Sequence, residues 1–302
     1  MRSLRALMLY MLFVFAGGAL LAPQVYALVQ WSGAKFEWLH KLAEFPLHRY
    51  MTRCFTFLAV VGLWPFLKTL GAQTRNDVGL GTRPGWWRDW TDGFLLGFVS
   101  VALAAVLCLA GGACTPDMNH TPGQFFRHFL NAASAALVVG LIEELVFRGS
   151  IYGGFKRAFD WRWALVLSSA VYGIVHFFAP MQATGEVYWY SGLWLLPQMT
   201  SGFFEWQRVV PGFINMTLVG LLLALAYERT GALYASIGLH GGWIFWLKTY
   251  GFMTSPIPNT NTWFWGSNRL IDGWVLLFVL AVCFPIVLKR FRHDLGGFKK
   301  AA

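Results

Sequence analysis

The sequence predicts an all-α fold, a polytopic membrane helix bundle of about eight transmembrane helices. Three observations predict it. Of 302 residues, 57% are hydrophobic and only 13% charged, whereas an ordinary soluble domain is about one quarter charged. The mean hydropathy is +0.51. Eight segments reach or nearly reach the ~20 apolar residues that a membrane span requires: about 6–28, 54–70, 93–112, 129–147, 163–180, 209–227, 231–250 and 273–289. This composition excludes a soluble enzyme, a disordered tail and a nucleic-acid-binding domain. An aromatic content of 18% suits tryptophan and tyrosine lining two membrane interfaces.

Taken in order, the first segment follows Arg2 and Arg5 and contains Val-Tyr-Ala at 25–27, the layout of a signal peptide with a small-residue cleavage site. Its apolar stretch runs on to Val29, which favours an uncleaved anchor. Residues 31–53 mix Trp31, Phe36, Trp38, Leu39 and Leu42 with Lys35, Lys41, Arg49 and Arg53, the pattern of an interfacial amphipathic helix. The second segment has a short apolar core and is kinked by Pro65; the fifth is also short. The loops 71–92, 181–208 and 251–272 are rich in Gly, Pro, Trp and Thr. None is large enough for a separate domain, so 1–302 reads as a single membrane domain. Trp189, Trp194 and Trp206 in the second of these loops read as an aromatic belt, with an interfacial plug or substrate gate as the alternative.

The net charge of +10 is a question of placement. With eight spans, 16 of the 24 Lys and Arg residues fall on the side that holds both termini. The positive-inside bias then puts both termini in the cytoplasm, at the inner membrane if the cell is bacterial. The tail carrying Lys289, Arg290, Arg292, Lys299 and Lys300 reads as an anchor on anionic lipid, so no nucleic-acid partner is expected. Cys54, Cys108, Cys114 and Cys283 include no C-x-x-C pair, so a zinc-finger or thioredoxin role is unsupported, and Cys108 and Cys283, in apolar runs, read as packing residues.

Ionisable groups inside a span are costly and are functional candidates by default. Few exist here: Glu143 and Glu144 near the end of the fourth segment, with Arg148 one turn on, His176 in the fifth and His240 in the seventh. Glu144 and Arg148 stand at i,i+4 and can pair. Glu143 lies about 100° around the helix, free to act as a general base on water. Tyr172 and His176 share a face at i,i+4. Ser168, Ser169 and Gly173 permit close helix approach. His240 is followed by Gly241 and Gly242, a pair that costs a helix about 2 kcal/mol relative to alanine, as close backbone approach would require. A glutamate and two histidines from three helices form a minimal set for metal-assisted hydrolysis. Zinc accepts imidazole nitrogen and carboxylate oxygen and keeps a position for water. No H-E-x-x-H is present, so this is not an ordinary zincin.

These motifs are Glu143-Glu144-x-x-x-Arg148, then Tyr172-x-x-x-His176, then His240 in a later helix. In order and spacing they resemble the CPBP family, the CAAX-type prenyl endopeptidases and bacteriocin-processing intramembrane metalloproteases. The resemblance covers about 129–250, which it implies to be the catalytic core. It implies that Glu143 activates water, that Glu144 and Arg148 support it, that His176 is a metal ligand or partner of the base, and that His240 is a ligand or oxyanion stabiliser. A divalent metal, zinc by its chemistry, would be held by Glu143, His176 and His240. Two positions depart from the family pattern. Tyr172 replaces a usual Phe and adds a hydroxyl. Ile244 stands four residues after His240, where the family usually has Asn or Asp, and isoleucine can neither coordinate nor donate. Asn215 in the sixth segment reads as interhelical glue, with substitution for the missing donor as the alternative.

The resulting expectation is an intramembrane metalloendopeptidase acting on a peptide or protein substrate at the lipid bilayer. Ile244 motivates the alternative, a non-catalytic scaffold or immunity-type protein with the same fold. A proton-coupled carrier is a third reading, disfavoured because the sequence shows no internal repeat.

Overall fold

The computed structural model describes residues 2–82, 84–178 and 185–291, with side chains from Arg5 onward. The basic tail residues Arg292, Lys299 and Lys300, the side chain of Arg2, and positions 181–184 of the aromatic loop lie outside the described residues. In chain order the elements are α1 (Arg2–Gly33), α2 (His40–Ala43), α3 (Leu47–Thr69), α4 (Trp86–Ala110), β1 (Cys114–Pro116), α5 (Pro122–Glu144), α6 (Gly153–Lys156), α7 (Trp161–Val175), α8 (Ser191–Leu195), α9 (Trp206–Thr230), α10 (Tyr234–Met253), β2 (Thr254–Pro256), α11 (Thr262–Trp265) and α12 (Trp274–Arg290). The strands form one short antiparallel pair, Cys114 opposite Pro256. The protein is an all-α, integral membrane helix bundle.

Each of the eight apolar segments forms a helix, as far as it is described. Five helices among the described residues are long and apolar enough to cross a membrane: Arg5–Gly33, Leu47–Thr69, Trp86–Ala110, Pro122–Lys156 and Trp206–Thr230. That is fewer than the eight expected. α7 is apolar but has only 15 residues, and α12 has 17. α10 has 20 residues, but His240, Lys248 and four glycines dilute its apolar character. The interfacial helix expected over 31–53 does not form. α1 continues to Gly33, a 3₁₀ turn covers Glu37–Leu39, α2 is a single turn, and α3 begins at Leu47 after Pro46. Arg49 and Arg53 thus belong to the first turns of α3. Proline favours a helix's start and cannot sit in its interior without loss of a hydrogen bond, so Pro46 divides the segment. All four cysteines are buried and free.

The contacts distinguish two compact units, 1–72 with 177–205, and 73–176 with 206–302. In the first, α1 and α3 pack around Ala19, Ala22, Leu47, Met51 and Leu195. α8 lies directly on α1, because a Cβ on Gly192 would stand 2.0 Å from the Ala19 carbonyl oxygen. The aromatic stretch 185–205 is α8 followed by a 3₁₀ segment, Pro197–Phe204.

The second unit is assembled on small residues. α4 turns Leu95, Val99, Leu103 and Val106 outward, a large apolar stripe suited to lipid. Its buried face carries Gly93, Gly97, Ser100 and Ala104. Lipid is as apolar as leucine, so membrane helices gain little by burying large side chains and associate through close backbone contact instead. A Cβ on Gly93 would meet the Ala235 carbonyl at 2.3 Å, one on Gly97 the Leu239 carbonyl at 2.2 Å, and one on Gly238 the Trp90 carbonyl at 2.1 Å. Gly93-x-x-x-Gly97 and Gly238-x-x-x-Gly242 thus seat α4 against α10. Gly220 on α9 meets Ser169 on α7 in the same manner, at 2.9 Å from its Cα. Local signals set the ends. Thr121 and Gln124 form a reciprocal capping box ahead of α5, Asp160 caps α7 through the Arg162 amide, and Gly231, at φ +66°, turns α9 into α10.

Candidate active site

The helical path does not stop where α5 ends, at Glu144. The chain continues as a π-helical stretch over Leu145–Tyr152. Such widened turns occur mostly as single insertions and are frequent at functional sites. Glu144 is the last α-helical residue and Arg148 sits within the widened part. Both are fully inside the protein, at 0% and 2% exposure. An Arg148 guanidinium nitrogen donates to Glu144 Oε1 at 3.1 Å, and another donates to the Gly220 carbonyl at 3.1 Å. The guanidinium also lies over the Tyr172 ring, 4.7 Å from its centroid. Arg148 therefore ties α5, α7 and α9 together, and the expected Glu144–Arg148 pair is present.

Glu144 Oε1 has a second partner, His240 Nδ1, at 3.0 Å. A carboxylate only accepts, so this contact assigns the proton to Nδ1 and leaves Nε2 of a neutral ring as an acceptor. The Tyr172 hydroxyl donates to that Nε2 at 3.3 Å. Glu143 Oε2 stands 3.8 Å from the same nitrogen and is buried with no hydrogen-bond partner. His176 shows the same polarity. Its Nδ1 bonds the Tyr172 carbonyl at 2.8 Å, so Nε2 is its free acceptor. Its ring packs on Tyr172 with centroids 4.3 Å apart.

Glu143, Tyr172, His176 and His240 line one cavity of about 130 Å³. The remaining wall is apolar. Val139, Met216, Trp243 and Ile244 come from α5, α9 and α10, and Val101, Ile271, Leu276 and Leu280 from α4, α12 and the turn before it. The three side chains that sequence reasoning singled out as reactive are thus brought together, with Tyr172 among them. Glu144 and Arg148 stand behind the wall and position His240 and Tyr172. Ile244 is a wall residue.

Asn215 sits apart from these residues. It does not line the cavity. Its side-chain amide donates to the carbonyls of Ile271, at 2.9 Å, and Gly273, at 2.8 Å. It clips α9 to the turn ahead of α12, where Asp272 also accepts from Ser267 N and from Arg208. A buried amide N–H group pairs with carbonyls in reach, and those belong to this turn; Asn215 Oδ1 is buried without a partner.

The donor chemistry suits zinc. Two imidazoles are each anchored through Nδ1, one by a carboxylate and one by a backbone carbonyl, the usual outer support of metal-binding histidine. The spacing does not complete a site. Among the described residues, no group of three or more His, Cys, Asp or Glu side chains is gathered closely enough to hold a metal ion.

Sequence reasoning missed the Glu144–His240 bond and the α4–α10 seat. The paired glycine motifs at 93–97 and 238–242 were the legible signal for the second. No sequence signal marks the first. No curated protein and no solved structure matches this chain. Residues 125–246 match the Rce1-like family, described as type II CAAX prenyl endopeptidase Rce1-like, and that span contains every cavity residue with an ionisable side chain. This match, with the glutamate and histidine motifs it contains, supports a likeness to the CPBP/CAAX proteases over residues 125–246.

Proposed function

We propose that this protein is an intramembrane endopeptidase in which Glu143 is the general base. The observation that carries the reading is the position of Glu143 Oε2, buried without a partner and facing the acceptor nitrogen of His240 across 3.8 Å. A water between these groups would give one proton to Glu143 as its oxygen attacks the scissile carbonyl carbon. The carbonyl π pair moves to oxygen, forming a tetrahedral oxyanion. On collapse the C–N bond breaks, and the amine leaves with the proton carried by Glu143. His176, fixed through Nδ1, orients the water through Nε2, and His240 holds the Tyr172 hydroxyl beside it. Glu144 and Arg148 hold His240 and Tyr172 in place. Substrate is a peptide segment at the membrane, entering between helices from the side on which Glu143 and Arg148 end their span. The charge bias makes that side, and both termini, cytoplasmic.

Metal dependence is a second part of the proposal. Glu143, His176 and His240 are the residues that would hold a divalent ion, zinc by its preference for nitrogen and carboxylate ligands. Bound there, the ion would make the water more acidic. The expected result is that purified protein loses peptidase activity on chelation and regains it with zinc. Activity unchanged by an exhaustive chelator, with no metal in the purified protein, overturns this part alone.

The test of the main reading is cleavage of a peptide library by wild type and Glu143→Ala in detergent micelles, read by mass spectrometry. Wild type cleaves and the variant does not. Equal cleavage by both sinks the assignment. Ile244 in the cavity wall favours one other reading, a scaffold that keeps the fold. It predicts no cleavage by wild type and unchanged cellular function in His240→Ala.

A further inference from the structure

Hydrolysis through a tetrahedral intermediate needs a hydrogen-bond donor for the oxyanion. Within the cavity the supply is narrow. Glu143 is acceptor-only when ionised. Both histidines spend their Nδ1 protons outside the cavity, on Glu144 and on the Tyr172 carbonyl, and face it with acceptor nitrogens. Trp243 donates its indole N–H to Ser100 Oγ at 2.9 Å. Ile244 has no donor. The Tyr172 hydroxyl is what remains, and its present bond to His240 Nε2 is long, at 3.3 Å.

We propose that the Tyr172 hydroxyl is the oxyanion donor of this protease, doing from α7 what Ile244 cannot do from α10. The inference rests on the endopeptidase reading. Its geometry is preorganised. The ring is 2% exposed, meets Phe147 edge-on with centroids 4.9 Å apart, and is covered on its face by Arg148. Only the O–H torsion is left free. As the water attacks, negative charge grows on the carbonyl oxygen, and the phenolic proton turns from His240 Nε2 to that oxygen. No proton leaves Tyr172. The hydrogen bond strengthens because its acceptor has become an anion, so it stabilises the transition state more than the bound substrate.

The experiment compares wild type, Glu143→Ala, Tyr172→Phe and the double variant Tyr172→Phe/Ile244→Asn on one peptide that the wild type cleaves. Tyr172→Phe keeps the ring and its packing. Loss of one oxyanion donor lowers kcat by about 10²–10³-fold, and here KM should stay within about twofold. Ile244→Asn places an amide donor on the α10 part of the wall, so the double variant should recover at least about tenfold of the lost kcat. A packing role for Tyr172 would leave kcat unchanged in the Phe variant, and a role only in holding His240 would give no rescue from position 244. Either result overturns the proposal. Glu143→Ala separates the two readings: activity surviving there removes the endopeptidase assignment. Full activity in Tyr172→Phe beside an inactive Glu143→Ala removes only the role of Tyr172.

Discussion

Glu144 on α5 and His240 on α10 are joined by a 3.0 Å contact between Oε1 and Nδ1, across 96 positions of sequence. The same oxygen receives Arg148. One buried carboxylate oxygen thus sets the proton position of a cavity histidine and neutralises the arginine that binds three helices. Removal of either charged member, Glu144 or Arg148, leaves an uncompensated buried charge.

Glu144→Gln therefore should destabilise the protein by about 3–5 kcal/mol, the usual result of breaking one side of a buried ion pair. The measurement is thermal unfolding in detergent, where a clear fall in Tm is expected. Replacing both partners, Glu144→Met with Arg148→Met, should recover part of that loss, because hydrophobic replacement of the whole pair removes both desolvation costs. An unchanged Tm in the single variant would show that the pair carries no net structural role.

The glycines of α10 should separate by neighbour. A Cβ on Gly238 would stand 2.1 Å from the Trp90 carbonyl oxygen, while one on Gly241 would stand 3.4 Å from the Ala136 carbonyl oxygen. Gly238→Ala should push α4 away and lower Tm. Gly241→Ala should be tolerated, since alanine gains about 1 kcal/mol of helix propensity over glycine. Equal sensitivity at both positions would contradict the close α4–α10 seat.

Asn215→Leu removes two hydrogen bonds to the turn before α12 and leaves its carbonyls unpaired, at about 1–3 kcal/mol for a buried group. Because Ile271 lines the cavity, the expected outcome is faster proteolytic nicking over 266–273, with reduced peptidase activity. Nicking at the wild-type rate would show that the turn is held by Asp272 alone.

Much of this architecture was legible in the residues. A span must be apolar over about 20 positions, so composition located the helices, though α3, α4 and α5 each begin seven residues before the apolar segment read for them. The scarcity of charge pointed to Glu143, His176 and His240, because few ionisable groups remain within apolar runs. The segment 31–53 was less legible: its amphipathic pattern is real, but Pro46 outweighs it and divides the segment between α1, a single turn and α3. Asn215 was ambiguous for a related reason. A polar side chain in a membrane helix needs a partner, and sequence says nothing about which partner is near.

The sequence by itself determined the membrane class, the helical segments and a short set of reactive candidates, since each depends on local composition and i,i+4 spacing. The tertiary structure alone decided which groups meet: His240 with Glu144, Tyr172 with His240, Arg148 with Gly220, and Asn215 with the turn at 271–273. Those partners depend on which helix faces come within reach. In a membrane that approach is governed by where glycines let backbones touch, a property of two helices together and of neither one alone.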